Sequence, residues 1–95
     1  LLGSPAMAGA AQPAAAPQAT VYYDFRDLST DQSARALYER IVSAARTVCP
    51  GYDSRDLGAF AESRECQRQA VARAVREIGN ARLAAVHTHA LPRHG

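Results

Sequence analysis

The chain has 95 residues and a mass of 10.1 kDa, which is enough for one small domain. Apolar residues make up 47% and charged residues 21% of the sequence, a balance that excludes a highly charged disordered chain or a coiled coil as the whole protein. With 11 basic and 9 acidic residues, the net charge of +2 is too close to neutral to predict binding to nucleic acid or to an anionic membrane. No apolar run reaches the roughly 18 to 20 residues that span a bilayer, so we expect no membrane span.

Residues 1–19 are rich in Ala and Pro and carry no charged side chain. Three prolines interrupt any helix there, and the tripeptides at 6–8 and 8–10 have the small-x-small form of a signal-peptidase site. We therefore expect residues 1 to about 10 to be the end of a secretory signal, followed by a disordered leader to residue 19. The alternative is a cloning remnant followed by a flexible tail. The first interpretation predicts a periplasmic or secreted protein.

Residues 20–27 alternate apolar and polar side chains, which is the pattern of a half-buried β-strand. We expect the aromatic face of this strand to pack on the helices that follow. The edges of a single strand are unpaired, so we expect it to pair with the same strand of a second copy, or to accept a strand from another protein. The alternative is a monomer whose strand edges are solvated or covered by the leader. The candidate pairing residues are Val21, Tyr22, Tyr23, Asp24 and Phe25.

The clearest pattern in the sequence is an amphipathic helix of about 20 residues that ends at Pro50-Gly51. Ser29 and Thr30 offer its N-cap, and Ser29 has capping-box spacing to Gln32. The apolar side chains fall within one sector of the helix: Ala34, Leu37, Tyr38, Ile41, Val42, Ala44, Ala45, Val48 and Cys49.

A second amphipathic helix is predicted over residues 57–78, followed by a short third helix over residues 81 to about 87 and a frayed tail at 90–95. Gly79 and Asn80 suit the end of the second helix and the start of the third. Gln67 is the one polar residue that projects into the apolar face of the second helix, where it would reach a backbone carbonyl or line a solvated gap.

The two cysteines, Cys49 and Cys66, do not form a Cys-x-x-Cys pair, so the sequence does not indicate a redox motif or a zinc knuckle. An even number of cysteines in a small chain with a signal-like start favours one structural disulfide, with two unrelated buried thiols as the alternative. Both cysteines flank the apolar faces of their helices, so a bond between them would make the helices antiparallel. The predicted fold class is mainly α (α+β), a disulfide-linked antiparallel helical hairpin with one N-terminal β-strand and a short C-terminal helix.

Several of these motifs together resemble the UrcA family of small exported bacterial proteins. They are Val-Tyr-Tyr-Asp-Phe-Arg-Asp-Leu-Ser-Thr at 21–30, Leu-Tyr-Glu-Arg-Ile at 37–41, Val48-Cys49 and the distant Cys66. The likeness covers about residues 20–89, which we interpret as a single domain. The resemblance implies a signal peptide, a disulfide-forming pair of cysteines, a mainly helical domain and no catalytic residues. One departure is Phe25, where Leu is commoner in the family.

Few side chains indicate chemistry. His87, His89 and His94 are the only clustered potential metal ligands, and they lie at a helix end and in a tail, so we expect incidental or structural roles and no metal site. The arginines of the second helix alternate with acidic residues, which is typical of a solvated, salt-bridged face rather than an anion site. The sequence has no Ser-His-Asp arrangement and no Gly-rich phosphate loop.

We therefore expect no enzyme, no catalytic residue and no cofactor. The predicted function is a non-enzymatic periplasmic interaction or structural module with an unknown protein partner, acting as a homodimer through the N-terminal strand. The alternative is a small-ligand or metal-binding protein that uses the groove between strand and helices or the C-terminal histidines.

Overall fold

The computed structural model describes residues 18–51 and 55–94, with side chains as far as Leu91. The described chain contains a short 3₁₀ helix (Phe25–Leu28) and the helices α1 (Asp31–Val48), α2 (Leu57–Ile78) and α3 (Ala81–His94). The mainly helical prediction is confirmed, and none of the described helices is long and apolar enough to cross a membrane. The predicted signal remnant and most of the leader lie outside the described residues.

Helix α1 begins at a reciprocal cap between Thr30 and Ser33. The Thr30 hydroxyl accepts a hydrogen bond from the Ser33 N–H at 3.0 Å, and the Ser33 hydroxyl accepts one from the Thr30 N–H at 3.2 Å. Ser29, predicted to pair with Gln32, instead donates its hydroxyl proton to the carbonyl of Arg26 at 2.8 Å. The predicted helix is therefore confirmed, with its capping box one residue further along the chain.

The turn between α2 and α3 follows the sequence prediction closely. Gly79 ends α2 in the left-handed conformation, with φ of 65°, which costs little only because Gly has no Cβ. The Asn80 side-chain oxygen then accepts a hydrogen bond from the Leu83 N–H at 3.0 Å. At its other end, α2 is capped by Asp56, whose carboxylate accepts from the Ala59 N–H at 2.9 Å.

Helix α3 is longer than predicted. It continues to His94, so the predicted end near residue 87 was wrong. The predicted frayed tail over 90–95 stays a prediction. Val86 and Ala90 are partly buried against the core, and they extend the apolar face that begins at Leu83 by almost two turns. This packing stabilises the last turns of the helix.

The hydrophobic core lies where α1, α2 and α3 meet, because α1 packs against both other helices and α2 packs against α3. Leu37 of α1 and Leu83 of α3 have no exposed surface. Each such leucine contributes about 1.5–3 kcal/mol through burial. The remaining buried members of the cluster are Tyr38, Ile41, Val42, Ala45, Val71 and Val75.

A disulfide joins Cys49, at the C-terminal end of α1, to Cys66 inside α2, with a Cα–Cα distance of 5.8 Å. The prediction of this bond is confirmed. Val42 lies before Cys49 on α1, Val71 lies after Cys66 on α2, and both line one common groove. This is the order of contacts that the predicted antiparallel arrangement requires.

The predicted N-terminal strand is wrong for the described segment. Residues 18–24 have no regular secondary structure, and Phe25–Leu28 form a 3₁₀ helix. Local hydrogen bonds explain the difference, because the Asp24 carboxylate accepts from the Arg26 N–H and the Asp27 carboxylate accepts from the Asp24 N–H, both at 2.9 Å. The described residues contain no strand that could supply ladder hydrogen bonds instead.

Two contacts of Arg40 hold this N-terminal segment against α1. The guanidinium donates to the carbonyl of Tyr22 at 2.8 Å and pairs with the carboxylate of Asp27 at 3.1 Å. Val21 packs against the core, but Tyr23 and Phe25, on the same predicted face, remain 45% and 79% exposed. The expected packing of the aromatic side chains on the helices is therefore wrong.

Replacing both Cys49 and Cys66 with serine is expected to lower the free energy of unfolding by about 3 kcal/mol, because the bond restricts the unfolded chain across a sequence separation of 17. Urea denaturation followed by circular dichroism measures the change. Reductant should bring the wild type to the midpoint of the double variant and leave the variant itself unaffected. Equal midpoints for the oxidised wild type and the variant would contradict the prediction.

Candidate binding groove

A groove opens where α1, α2 and α3 face one another near the disulfide-linked end of α1. Its volume of about 480 Å³ lies within the range of roughly 300–1,000 Å³ that is typical of small-molecule sites. We call it the arginine groove. Its lining includes the apolar side chains Val42, Phe60, Val71 and Leu91 and the basic side chains Arg46, Arg64 and Arg68.

Helical spacing places these side chains on common faces. Val42 and Arg46 are four residues apart on α1, and Phe60, Arg64 and Val71 follow at helical intervals along α2. Val42 and Val71 are each 6% exposed and belong to the core, so the floor of the groove is a continuation of the core surface.

Ser63 and Gln67 form a polar pair in the groove. Ser63 is 1% exposed, and its hydroxyl oxygen accepts a hydrogen bond from the Gln67 amide at 3.2 Å. The sequence prediction that Gln67 lines a gap is confirmed, whereas the alternative of a bond to a backbone carbonyl is not what the structure shows. Sequence reasoning missed Ser63, although its spacing of four residues from Gln67 places both on one face of α2.

A second polar pair links α1 to α3 beneath the groove. The Tyr38 hydroxyl and His87 Nδ1 are 2.9 Å apart, and the two rings are tilted by 46° with centroids 5.6 Å apart. Burial raises the pKa of Tyr38 above its ordinary value of 10.0, and the neighbouring Glu39 carboxylate raises it further. At neutral pH the phenol therefore keeps its proton, and the tautomer of His87 sets which of the two groups donates in this hydrogen bond.

The arginines of the groove differ in their partners. Arg68 pairs with the Glu65 carboxylate, and the Arg64 guanidinium lies over the Phe60 ring, 5.6 Å from its centroid. The guanidinium of Arg46 takes part in no ion pair or hydrogen bond within the described part of the chain. None of the described side chains that line the groove is acidic, so its rim is positively charged.

This arrangement changes the interpretation of the arginines on α2. The salt-bridged face predicted from the sequence is present at Arg68 and Glu65. However, Arg64 and Arg68 also border the groove, whereas Arg73 borders a different hollow. Charge alternation along the sequence could not separate these groups, because it does not show which arginines face a neighbouring helix.

The structure does not bring the histidines together. His87 lines the arginine groove, His89 lines a separate hollow beside Asp31 and Arg82, and the side chain of His94 lies outside the described residues. Within the described residues, no group of three or more His, Cys, Asp or Glu side chains is arranged to hold a metal ion.

The groove predicted between the N-terminal strand and the helices corresponds to a smaller, more open hollow. It has a volume of about 310 Å³ and lies between residues 18–21 and the facing surfaces of α1 and α2. Its lining includes Ile41, Ala45 and Ala74, together with Arg73 and Glu77 of opposite charge. The arginine groove is thus the larger site and the one with a single sign of charge.

Comparison of the chain with protein-family models, curated proteins and solved structures finds no match. The resemblance to the UrcA family therefore stays a prediction that depends on the motifs quoted above.

Replacing Tyr38 with Phe is expected to lower the free energy of unfolding by about 1 kcal/mol at neutral pH, because it removes the hydrogen bond to His87. It should also change the alkaline limit of stability. The pKa of Tyr38 is raised in the folded state, so the protonated phenol stabilises the fold fully below the ordinary pKa of 10.0. This stabilisation is lost as the pH rises through the higher pKa of the folded state.

Thermal melts over this alkaline range measure the effect. The wild type should lose stability more steeply above pH 10 than the Tyr38→Phe variant, whereas Tyr22→Phe, at a phenol that is 80% exposed, should follow the wild type. Identical alkaline profiles for wild type and Tyr38→Phe would contradict the assignment.

Proposed function

We propose that the chain is an exported, non-enzymatic binding module that recognises its partner in the arginine groove. The observation that carries the proposal is the combination of a buried apolar floor with guanidinium groups on the rim. Val42 and Val71 supply the floor, and Arg46, Arg64 and Arg68 border it, of which Arg68 is paired with Glu65 and Arg46 has no acidic partner among the described residues. Sites of this kind hold the apolar part of a ligand by burial and orient it through a few polar groups.

A binding role is supported over catalysis by the partners of the polar groups. Ser63 is bonded to Gln67, and His87 is bonded to Tyr38. No hydrogen bond among the described residues joins Ser63 to His87, so the hydroxyl and the imidazole do not form a nucleophile–base pair. These pairs give the groove a fixed polar lining, which suits recognition.

Export is supported by the Cys49–Cys66 disulfide, because such bonds persist mainly in oxidising compartments such as the periplasm and the cell exterior. We extend the proposal to UrcA-type organisation, in which a leader over residues 1–19 precedes one domain over 20–89. The motifs at 21–30 and 37–41 and the two cysteines support it.

Photo-crosslinking tests the location of the binding site. With p-benzoylphenylalanine in place of Leu91, irradiation of the exported protein in the periplasm is expected to give adducts, because Leu91 lines the groove and is 39% exposed. The same group in place of Leu57, which is 76% exposed and does not line the groove, is the control and should give none.

The charge requirement is tested in the same experiment. Arg46→Glu should abolish the adducts at position 91, whereas Arg35→Glu, which makes the same charge change elsewhere on α1, should leave them unchanged. Adducts of equal yield at both positions, or adducts insensitive to Arg46→Glu, would contradict the proposed function.

A second candidate function is self-association through the N-terminal segment, which the exposure of its aromatic side chains favours. Tyr22 and Phe25 are 80% and 79% exposed, and Tyr23 is 45% exposed. Neighbouring exposed apolar side chains mark contact surfaces. Since the segment is not a strand, we propose that a homodimer would use these aromatic side chains and not strand edges.

Light scattering coupled to size-exclusion chromatography is expected to give twice the 10.1 kDa chain mass for the wild type and a single chain mass for Phe25→Ser. Leu57→Ser is the matched control, because Leu57 is also largely exposed but lies outside this segment. A monomeric wild type at every concentration, or a dimer that survives Phe25→Ser, would rule out this contact.

A further inference from the structure

We infer that the ligand of the arginine groove is a small amphiphilic carboxylate, with its carboxylate on Arg46 and its apolar body on Val42, Val71 and Leu91. This inference rests on the proposed function and adds the chemical class of the ligand. It follows from the number of available charges, from the position of the apolar floor and from the way the start of α2 is capped.

Arg46 is the groove arginine whose charge is available to a ligand. Arg68 is neutralised by Glu65, and Arg64 lies over Phe60, whereas Arg46 has no ion pair or hydrogen bond to any described residue. A planar guanidinium matches a carboxylate through two parallel N–H···O bonds. The groove therefore suits one negative charge, and the described lining contains no carboxylate that would pair with a cation.

The apolar floor begins one turn from this charge. Val42 lies four residues before Arg46 on the same face of α1, and Val71 faces it from α2. Leu91 adds an apolar side chain from α3 that is 39% exposed and therefore has surface left to cover. A ligand held at Arg46 would lay an alkyl chain or an aromatic ring over these side chains, and a volume of about 480 Å³ suits a small molecule.

The cap of α2 leaves Arg46, and not the start of α2, as the anchor of the anionic group. Phosphate sites commonly use free N–H groups at the start of a helix. At the start of α2, which supplies Phe60 to the groove, the Asp56 carboxylate already accepts from the Ala59 N–H at 2.9 Å. Its negative charge would also repel a second anion at that position.

Isothermal titration with sodium decanoate, kept below its micelle concentration, tests the inference. We expect one decanoate per chain, and about tenfold weaker binding to Arg46→Gln, because a charge-assisted interaction is lost. Arg35→Gln is the matched control, since it removes the same charge from an exposed position of α1 outside the groove and should bind like the wild type. Decyltrimethylammonium, which has the same chain but a positive head group, should bind at least about tenfold more weakly.

Decanoate binding that is unchanged in Arg46→Gln, or equal binding of decyltrimethylammonium, would overturn the inference, because apolar burial alone would then account for it. If decanoate does not bind while crosslinking at position 91 still depends on Arg46, the ligand class is wrong and the groove keeps its proposed function. If both decanoate binding and crosslinking at position 91 are absent, both proposals fall.

Discussion

One face of α1 packs against both α2 and α3, and the rest of the structure depends on that packing. Leu37 of α1 and Leu83 of α3 are completely buried. Tyr38 and Val42, on the same face of α1, are members of the core and also line the arginine groove. The groove is thus the edge of the core, so its shape is set by the contacts that hold the three helices together.

The disulfide restrains the two walls of this groove near the points where polar side chains enter it. Arg46 lies three residues before Cys49 on α1, and Ser63 lies three residues before Cys66 on α2, so each is about one helical turn from the bond. The polar pairs Ser63–Gln67 and Tyr38–His87 are hydrogen-bonded, and no buried side-chain polar atom in the described chain lacks a partner. The buried part of the lining is therefore preorganised, and binding does not have to order it first.

The helices could be predicted because their apolar residues recur at helical spacing. The disulfide could be predicted because the chain has two cysteines, each beside the apolar face of its helix. The conformation of residues 21–25 could not be predicted in the same way, because alternation shows which side chains share a face but not whether a neighbouring strand is present. The Asp24 and Asp27 side chains form local hydrogen bonds to the backbone instead. The groove was missed for a related reason. Its members are spaced regularly along α1 and α2, yet only the packing of α3 shows which of those faces remains open.

Different interactions hold the N-terminal segment and the three helices, so the two parts respond to different solution conditions. Arg40 holds the N-terminal segment. Its ion pair with Asp27 is solvent-accessible, with side chains 48% and 32% exposed, so dissolved ions screen it. The helices are joined by a covalent bond and by buried apolar surface, which ionic strength hardly affects at moderate concentration. Salt therefore loosens the N-terminal segment and its aromatic side chains, while reducing conditions loosen the junction of α1 with α2.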